Sequence, residues 1–275
     1  MLFALPFPAI DPVAVAIGPV AIRWYALAYI AGLLIGWWSL VRLERRTQGP
    51  LNAALIDDFF VWVVAGVVAG GRLGYVLFYN LPFYLDNPVQ ILKVWEGGMS
   101  FHGGMLGVIV AILLFARRRG LHPFVLGDRI ATVVPIGLFF GRIANFVNGE
   151  LFGRVAPDVP WAMVFPHGGP EPRHPSQLYQ AGMEGLVLLV LMLVLYHRDG
   201  LRNRPGFLAG AFLAGYGLVR LIGEVFRQPD AHLGFLFAGA TMGQLLSLPM
   251  IAIGVGLMTW AARRPATPPV PADHG

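Results

Sequence analysis

Residues 124–154 read FVLGDRIATVVPIGLFFGRIANFVNGELFGR, a mostly apolar run that ends in a cluster of polar side chains. A helix over 124–147 is long enough to cross a bilayer, which requires about 20 mostly apolar residues. Its end nevertheless carries Arg142 and Asn145, and Asn148 and Glu150 follow at once. A charged side chain near the middle of a spanning helix costs about 2.5–3.5 kcal/mol on insertion scales, so such a residue should face protein, water or a ligand. The stretch therefore predicts a membrane-spanning helix with a polar site at one end.

The composition of the whole chain agrees with this interpretation. Of the 275 residues, 56% are hydrophobic and only 13% are charged, whereas soluble proteins usually carry about 25% charged residues. The net charge of +5 comes from arginines in short clusters between apolar runs, which is typical of membrane loops rather than of a nucleic-acid surface. The absence of cysteine excludes disulfides, cysteine-ligated metals and a cysteine nucleophile in this chain.

The apolar runs predict an all-α integral membrane protein with about seven transmembrane helices. The third and fifth runs are short, so six helices remain an alternative. The predicted spans are 20–40, 56–78, 99–116, 124–147, 178–196, 206–226 and 237–261.

Basic residues alternate between the loops in a way that predicts the orientation. Arginines are concentrated at 42–46, 117–119, 198–204 and 263–264, and the intervening loops carry fewer basic residues over longer stretches. Because short arginine-rich loops stay cytoplasmic, we expect the amino terminus outside and the carboxyl terminus inside. We expect one polytopic domain over 1–262, in which residues 79–97 form a surface-lying arm and residues 149–177 a periplasmic head, followed by a disordered cytoplasmic tail over 263–275.

Arginines near the outer ends of the predicted spans indicate a site for an anion. Arg72, Arg142, Arg220 and Arg227 all occupy such positions, and snorkelling to the headgroups is the alternative explanation, above all for Arg72 and Arg227. One stripe on the sixth span joins residues at spacings i, i+4, i+8 and i+11, namely Tyr216, Arg220, Glu224 and Arg227.

Two further motifs carry titratable side chains. GGMSFHGGM (97–105) surrounds His102 with four glycines, which permit close approach of the backbone to a neighbour or a ligand. In HPSQLYQAGME (174–184), Ser176 follows His174 closely, but a serine nucleophile would need a GxSxG context, so Ser176 is better interpreted as a helix N-cap. Together the motifs predict a cationic, water-accessible pocket open to the outer leaflet. Because a guanidinium pairs phosphate oxygens bidentately, a phospholipid is the expected ligand. Metal motifs such as HExxH are absent, so no metal is expected.

Four segments, GGMSFHGG, GRIANFVNGELFGR, HPSQLYQ and VRLIGEVFRQPD, resemble the prolipoprotein diacylglyceryl transferase family, and the likeness covers nearly the whole chain. The resemblance implies a multi-pass enzyme of the bacterial inner membrane whose active site faces the periplasmic leaflet. Such an enzyme transfers the diacylglyceryl group of phosphatidylglycerol to the lipobox cysteine thiol of a prolipoprotein, forming a thioether and releasing glycerol phosphate. Its partners are phosphatidylglycerol, the prolipoprotein signal peptide and membrane lipid, with no cofactor and no nucleic acid.

The resemblance also implies roles for individual residues. His102 is the candidate general base, with Glu224 as the alternative, and Arg142 is the candidate phosphate ligand. Arg23 stands where some relatives have histidine, which leaves the role of position 23 open. The implied catalytic residues are His102, Arg142, Arg220, Glu224 and Tyr25, and the implied substrate-binding residues are Arg142, Asn145, Glu150, Gly153, Tyr216 and Arg227.

A lipid or anion transporter is the main alternative from another functional class. It predicts polar residues at both membrane depths, whereas here they are concentrated on the predicted outer side. A structural membrane subunit gains little support from so many clustered ionisable groups.

Overall fold

The computed structural model describes residues 5–8, 10–18, 20–229 and 234–266. Within these residues seven helices are long and apolar enough to cross a membrane, which confirms the expected helical membrane architecture. We number them as spans 1 to 7 in chain order. The spans are Trp24–Thr47, Ala53–Tyr79, Phe101–Arg119, Pro123–Val147, Ser176–Tyr196, Phe207–Phe226 and Met242–Ala262.

Three of the predicted span boundaries were wrong by four residues or more, and one of them is the end of span 1, which continues past residue 40 to Thr47. Span 1 does not begin at residue 20, because β2 (Val13–Ile17) pairs antiparallel with β3 (Val20–Arg23) and the helix starts only at Trp24. Span 7 does not begin at residue 237, because Thr241 is its N-cap and forms a capping box with Gln244. Most of the tail predicted to be disordered, residues 267–275, lies outside the described residues.

The chain divides into two compact units. One unit contains the described residues between 1 and 39 and between 128 and 268, and the other contains residues 40–127. The single domain expected over 1–262 and the orientation of the termini stay predictions.

In the unit of residues 40–127, spans 2 and 3 pack through glycine. A β-carbon on Gly74 would lie 2.7 Å from the α-carbon of Gly103, and Gly66, Gly70 and Gly107 meet in the same way along the two helices. Small residues allow membrane helices to approach closely, so that backbone packs on backbone. Gly103, which follows His102 directly, therefore serves the packing of two helices.

The segment expected as an arm follows span 2 in the same unit. It consists of a short helix, Leu81–Asp86, and two 3-10 turns, Pro88–Leu92 and Val94–Glu96. The Arg72 guanidinium anchors this segment, because it donates hydrogen bonds to the carbonyl oxygens of Gln90, Ile91, Lys93, Gly97 and Gly98. Arg72 is only 4% exposed, so snorkelling does not explain it.

The other unit holds spans 4 to 7 and the segment expected as a head. The Asp128 carboxylate accepts hydrogen bonds from the backbone N–H groups of Gly206 and Ala209, at 2.9 and 2.7 Å, and so caps the start of span 6. In the head, β4 (Met163–Val164) pairs parallel with β1 (Leu5–Pro6). The head is also bonded to the end of span 6, because the Arg154 N–H donates to the Phe226 carbonyl at 2.8 Å.

Candidate active site

A chain of ion pairs connects spans 4, 5 and 6. Arg142 Nε donates to Glu184 Oε2 at 2.9 Å, and Glu184 Oε1 lies 3.4 Å from an Arg220 nitrogen. Arg220 in turn pairs with Glu224 Oε1 at 2.8 Å. Glu184 is fully buried and Glu224 is 3% exposed, so the chain of charges lies inside the protein.

The network continues beyond Glu224 to Arg227 and to the start of span 7. Glu224 Oε1 is 3.2 Å from an Arg227 nitrogen, and Glu224 Oε2 accepts a hydrogen bond from the Thr241 hydroxyl at 2.8 Å. Three guanidinium groups thus meet two carboxylates in this network. Because a guanidinium pairs phosphate oxygens bidentately, such a cluster of arginines suits an anionic ligand.

Local helix geometry explains why these residues meet. Arg220 and Glu224 are four residues apart on span 6 and therefore share one face. Glu184 lies in a π-helical stretch of span 5, Ala181–Val187, a distortion that occurs frequently at functional sites. Arg142 lies near the carboxyl end of span 4, whereas Glu184 lies near the amino end of span 5. Because consecutive spans run in opposite directions, the carboxyl end of span 4 and the amino end of span 5 lie on the same side, and both supply residues to the network.

Glu150 lies in the turn that leaves span 4, and two amides hold it. The side chains of Asn145 and Asn148 donate to Glu150 Oε1 at 2.8 and 3.4 Å. The Gln177 amide donates to the Glu150 carbonyl oxygen at 2.6 Å, which bonds this turn to span 5. Asn145 and Glu150 therefore order the start of the head.

Ser176 is neither exposed nor a helix cap. It is fully buried, is the first residue of span 5 and donates its hydroxyl to the Leu151 carbonyl at 3.0 Å. The expectation of Ser176 as N-cap was wrong, because Pro175 occupies that position and the hydroxyl is used to fasten the head. The same bond leaves the hydroxyl unsuited to a nucleophile's role.

Two tyrosines stand close to Arg142. Tyr216 lies within electrostatic range of Glu184, Arg220 and Arg142. Tyr25 is half-buried at the start of span 1, within electrostatic range of Arg142. Both tyrosines thus interact electrostatically with residues of the network, and their roles toward a substrate stay predictions. Arg23, at the end of β3, is exposed.

Gly153 lies where the head crosses the end of span 6. Its N–H donates to the His174 carbonyl at 2.9 Å, and it forms a β-bridge with Arg227. A β-carbon at this position would lie 2.5 Å from the His174 carbonyl oxygen and 2.7 Å from the Phe226 carbonyl oxygen. Only glycine fits this crossing, so close packing explains why glycine occupies position 153, without any contact with substrate.

His102 belongs to the unit of residues 40–127. It is the second residue of span 3 and lies two residues after the N-cap Ser100, whose hydroxyl accepts from the Gly103 N–H. Its side chain is exposed, and its ring meets Phe101 edge-on with 5.7 Å between centroids. An exposed imidazole is available to accept a proton.

His174 belongs to the head. Burial lowers the pKa of its imidazole. Its Nδ1 lies 3.1 Å from the Tyr179 hydroxyl, and the Trp161 indole donates to the same oxygen at 2.6 Å. The three side chains tie the head to span 5.

Three residues of this region were not singled out as site residues from the sequence. Glu184 is the central carboxylate, Thr241 supports Glu224, and Arg154 donates to the carbonyl oxygens of Glu224 and Arg227 at 3.2 and 3.0 Å. The signal for Glu184 was present, because it is the one carboxylate inside the apolar span 5. Thr241 and Arg154 act through contacts between distant segments, which spacing along the chain does not reveal.

Comparison with known proteins supplies a family. The family model described as prolipoprotein diacylglyceryl transferase matches residues 12–260. Three similar proteins carry the name phosphatidylglycerol–prolipoprotein diacylglyceryl transferase. The protein of Paramagnetospirillum magneticum is 64% identical over 97% of this chain and 99% of its own length. That of Azospirillum brasilense is 60% identical over 96% and 99%, and that of Rhodospirillum rubrum 61% identical over 96% of each chain.

Proposed function

The chain belongs to the prolipoprotein diacylglyceryl transferase family, and we propose that the network around Glu184 is the place where it binds the phosphate of phosphatidylglycerol. The enzyme transfers the diacylglyceryl group from phosphatidylglycerol to the thiol of a prolipoprotein cysteine, the first step of lipoprotein maturation. The observation that supports the assignment of the site is the convergence of Arg142 and Arg220 on the one carboxylate of Glu184, which brings two guanidinium groups together.

The bonds that form and break in this reaction determine what the site must do. The thiol sulfur forms a bond to the glycerol carbon that bears the phosphate, and the bond between that carbon and its phosphate oxygen breaks. The electron pair goes to the oxygen, so a phosphodiester with one negative charge leaves as a phosphate monoester with a second one. Fixed guanidinium groups in a site that excludes water stabilise charge that develops in this way.

Glu184 prepares the arginines for this task. Two guanidinium groups repel each other, and a shared carboxylate between them offsets that repulsion. Arg142 and Arg220 can therefore converge on one phosphate, with the Tyr216 hydroxyl beside Arg142. We assign Arg142 and Arg220 to the phosphate, and Glu184 to the positioning of both.

A base must remove the thiol proton, because the thiolate is the nucleophile and a free cysteine has a pKa of about 8.5. Glu224 is a poor candidate, since its two oxygens already accept from Arg220, Arg227 and Thr241. The exposed imidazole of His102 has no such competing bonds among the described residues beyond its ring contact with Phe101. We therefore assign the base to His102.

We propose that the reaction takes place at the periplasmic leaflet, on the grounds of the arginine clusters in the loops. They support a bacterial inner-membrane location in which the network faces the periplasmic leaflet, because short arginine-rich loops stay in the cytoplasm. Phosphatidylglycerol then enters from the outer leaflet, and the signal peptide presents its lipobox cysteine from the same side.

The test is release of glycerol phosphate by the purified protein in detergent, supplied with phosphatidylglycerol and a lipobox peptide. We expect release that requires the peptide's cysteine and that is lost in Arg142→Ala. A peptide with serine in place of cysteine is the matched control. Tight binding of phosphatidylglycerol without any release in the unsubstituted protein would overturn the assignment and would favour a lipid transporter.

A further inference from the structure

Gln180 is a buried amide without a hydrogen-bond partner. It is 0% exposed, and neither its Nε2 nor its Oε1 bonds to any of the described residues. Buried polar side-chain atoms in folded proteins are nearly always hydrogen-bonded, because an unpartnered one has lost its bonds to water and gained nothing in return. Such a group therefore points to a ligand that completes its bonding.

The position of Gln180 is next to the ion-pair network. It lies one turn before Glu184 on span 5 and directly precedes the π-helical stretch Ala181–Val187. Its amide also faces span 6, since a β-carbon on Gly223 would lie 3.7 Å from Nε2. Gly223 stands between Arg220 and Glu224 on that helix.

We propose that the Gln180 amide binds the hydroxyl groups of the glycerol headgroup and thereby selects phosphatidylglycerol among membrane phospholipids. The proposal rests on the proposed function, because it takes the phosphate to lie on Arg142 and Arg220. In phosphatidylglycerol the hydroxyl groups are separated from that phosphate by only a short carbon chain. A neighbouring amide is therefore in the right region to contact them.

The chemistry of a carboxamide fits hydroxyl groups better than the other parts of a phospholipid. It offers two N–H donors and one acceptor oxygen, and a hydroxyl is itself both donor and acceptor. A phosphate needs donors and charge, which the three arginines already supply. An amine headgroup would bring a further positive charge close to the guanidinium groups of Arg142 and Arg220, and like charges repel each other. A site that bonds substrate hydroxyls rejects analogues without them, since its own polar groups then stay unpaired.

The experiment compares Gln180→Met with the unsubstituted protein in lipid binding and in thermal unfolding. Methionine has a similar length without the amide. The two lipids are phosphatidylglycerol and phosphatidylpropanol, whose headgroup lacks both hydroxyls, each titrated into protein in detergent. Gln177→Met is the matched control on the same helix, because its amide is bonded to the Glu150 carbonyl at 2.6 Å.

We expect the unsubstituted protein to prefer phosphatidylglycerol by about tenfold and Gln180→Met to bind the two lipids equally. We also expect the melting temperature without lipid to be unchanged or higher in Gln180→Met and lower in Gln177→Met.

A Gln180→Met protein that keeps the full preference for phosphatidylglycerol overturns the proposal. So does a clear fall in its melting temperature without lipid, because the amide would then have a structural partner. A third outcome would also overturn the proposal. If both proteins show the same lipid preference but the unsubstituted protein binds a lipobox peptide more tightly than Gln180→Met does, the amide serves the peptide and not the lipid. Failure of the proposed function is distinguishable, since it would abolish glycerol phosphate release in the unsubstituted protein and leave these binding measurements intact.

Discussion

Glu184 and Arg142 form a buried ion pair between spans 5 and 4, in which Arg142 Nε and a terminal nitrogen both lie 2.9 Å from Glu184 Oε2. The second oxygen of the same carboxylate faces Arg220. One carboxylate thus holds in place both guanidinium groups to which we assign the phosphate. We therefore assign to Glu184 the positioning of these two arginines.

Glu184→Gln should lower both stability and turnover. The substitution keeps the size of the side chain but leaves two buried guanidinium groups without their shared negative charge, which costs about 3 kcal/mol of unfolding free energy. Thermal unfolding in detergent and glycerol phosphate release measure the two effects. Glu171→Gln, at an exposed carboxylate of the head, is the control that should change neither. Normal stability and turnover in Glu184→Gln would mean that the arginines are positioned by other contacts.

Much of the fold was predictable, because hydrophobic length alone specifies membrane helices. All seven spans were predicted, and the largest errors were at the two ends of span 1 and the start of span 7. At span 1 the apolar residues 20–23 form a strand of a hairpin instead, and apolar composition does not distinguish the two. The arginines of the network were found because a charge inside an apolar run is conspicuous.

What the sequence could not provide were the partners of each charge. The sequence favoured snorkelling for Arg72 more than for Arg142, yet Arg72 is buried and bonded to backbone carbonyls, and Arg142 is bonded to a carboxylate. Similarly, the glycines that flank His102 could have allowed close approach of either a ligand or a neighbouring helix. In the structure Gly103 packs against span 2. Both distinctions depend on contacts between segments that are far apart along the chain.

Arg72→Lys should loosen the segment of residues 88–98. A lysine ammonium has a compact point charge and cannot reproduce the guanidinium fork that reaches five carbonyl oxygens. We expect a loss of about 2 kcal/mol and faster amide hydrogen exchange over this segment, measured by mass spectrometry. Arg118→Lys, at an exposed position, is the matched control and should exchange normally. Unchanged exchange over 88–98 in Arg72→Lys would show that the segment is held by other contacts.

Gly74→Ala should weaken the packing of spans 2 and 3. The added methyl group would lie 2.7 Å from the α-carbon of Gly103, so the two helices must separate. Overpacking of this kind costs about 1–3 kcal/mol, which thermal unfolding in detergent measures. Gly127→Ala is the matched control, because its added methyl group meets no atom within 4 Å. If both variants unfold at the same temperature, close packing at Gly74 does not contribute to stability.

The His174 imidazole should titrate below the ordinary histidine pKa of about 6.5, because its burial disfavours the charged form. Because the pKa is lower in the folded state than in the unfolded state, the free energy of unfolding should fall at acidic pH. Above the pKa of the unfolded state His174 is neutral in both states, and its contribution to stability is constant. As the pH falls, the unfolded state takes up the proton first, and stability is lost. Nuclear magnetic resonance of the labelled imidazole measures the titration. In His174→Gln the corresponding part of the pH dependence of unfolding should disappear, and a midpoint above 6.5 would contradict the prediction.

His102→Gln should separate the removal of the thiol proton from the binding of lipid. Without the imidazole we expect turnover at neutral pH to fall by about 10²–10⁴-fold, the usual contribution of a general base. Phosphatidylglycerol affinity should persist, because the arginines assigned to the phosphate are untouched. The loss should shrink as pH rises toward about 8.5, where the peptide thiol ionises without help.

His167→Gln, at an exposed position of the head, is the matched control and should keep normal turnover at every pH. Full turnover of a stably folded His102→Gln at neutral pH would remove His102 as the base and make Glu224 the next residue to test. A loss that is equally large at every pH would instead show that His102 holds the substrate rather than its proton.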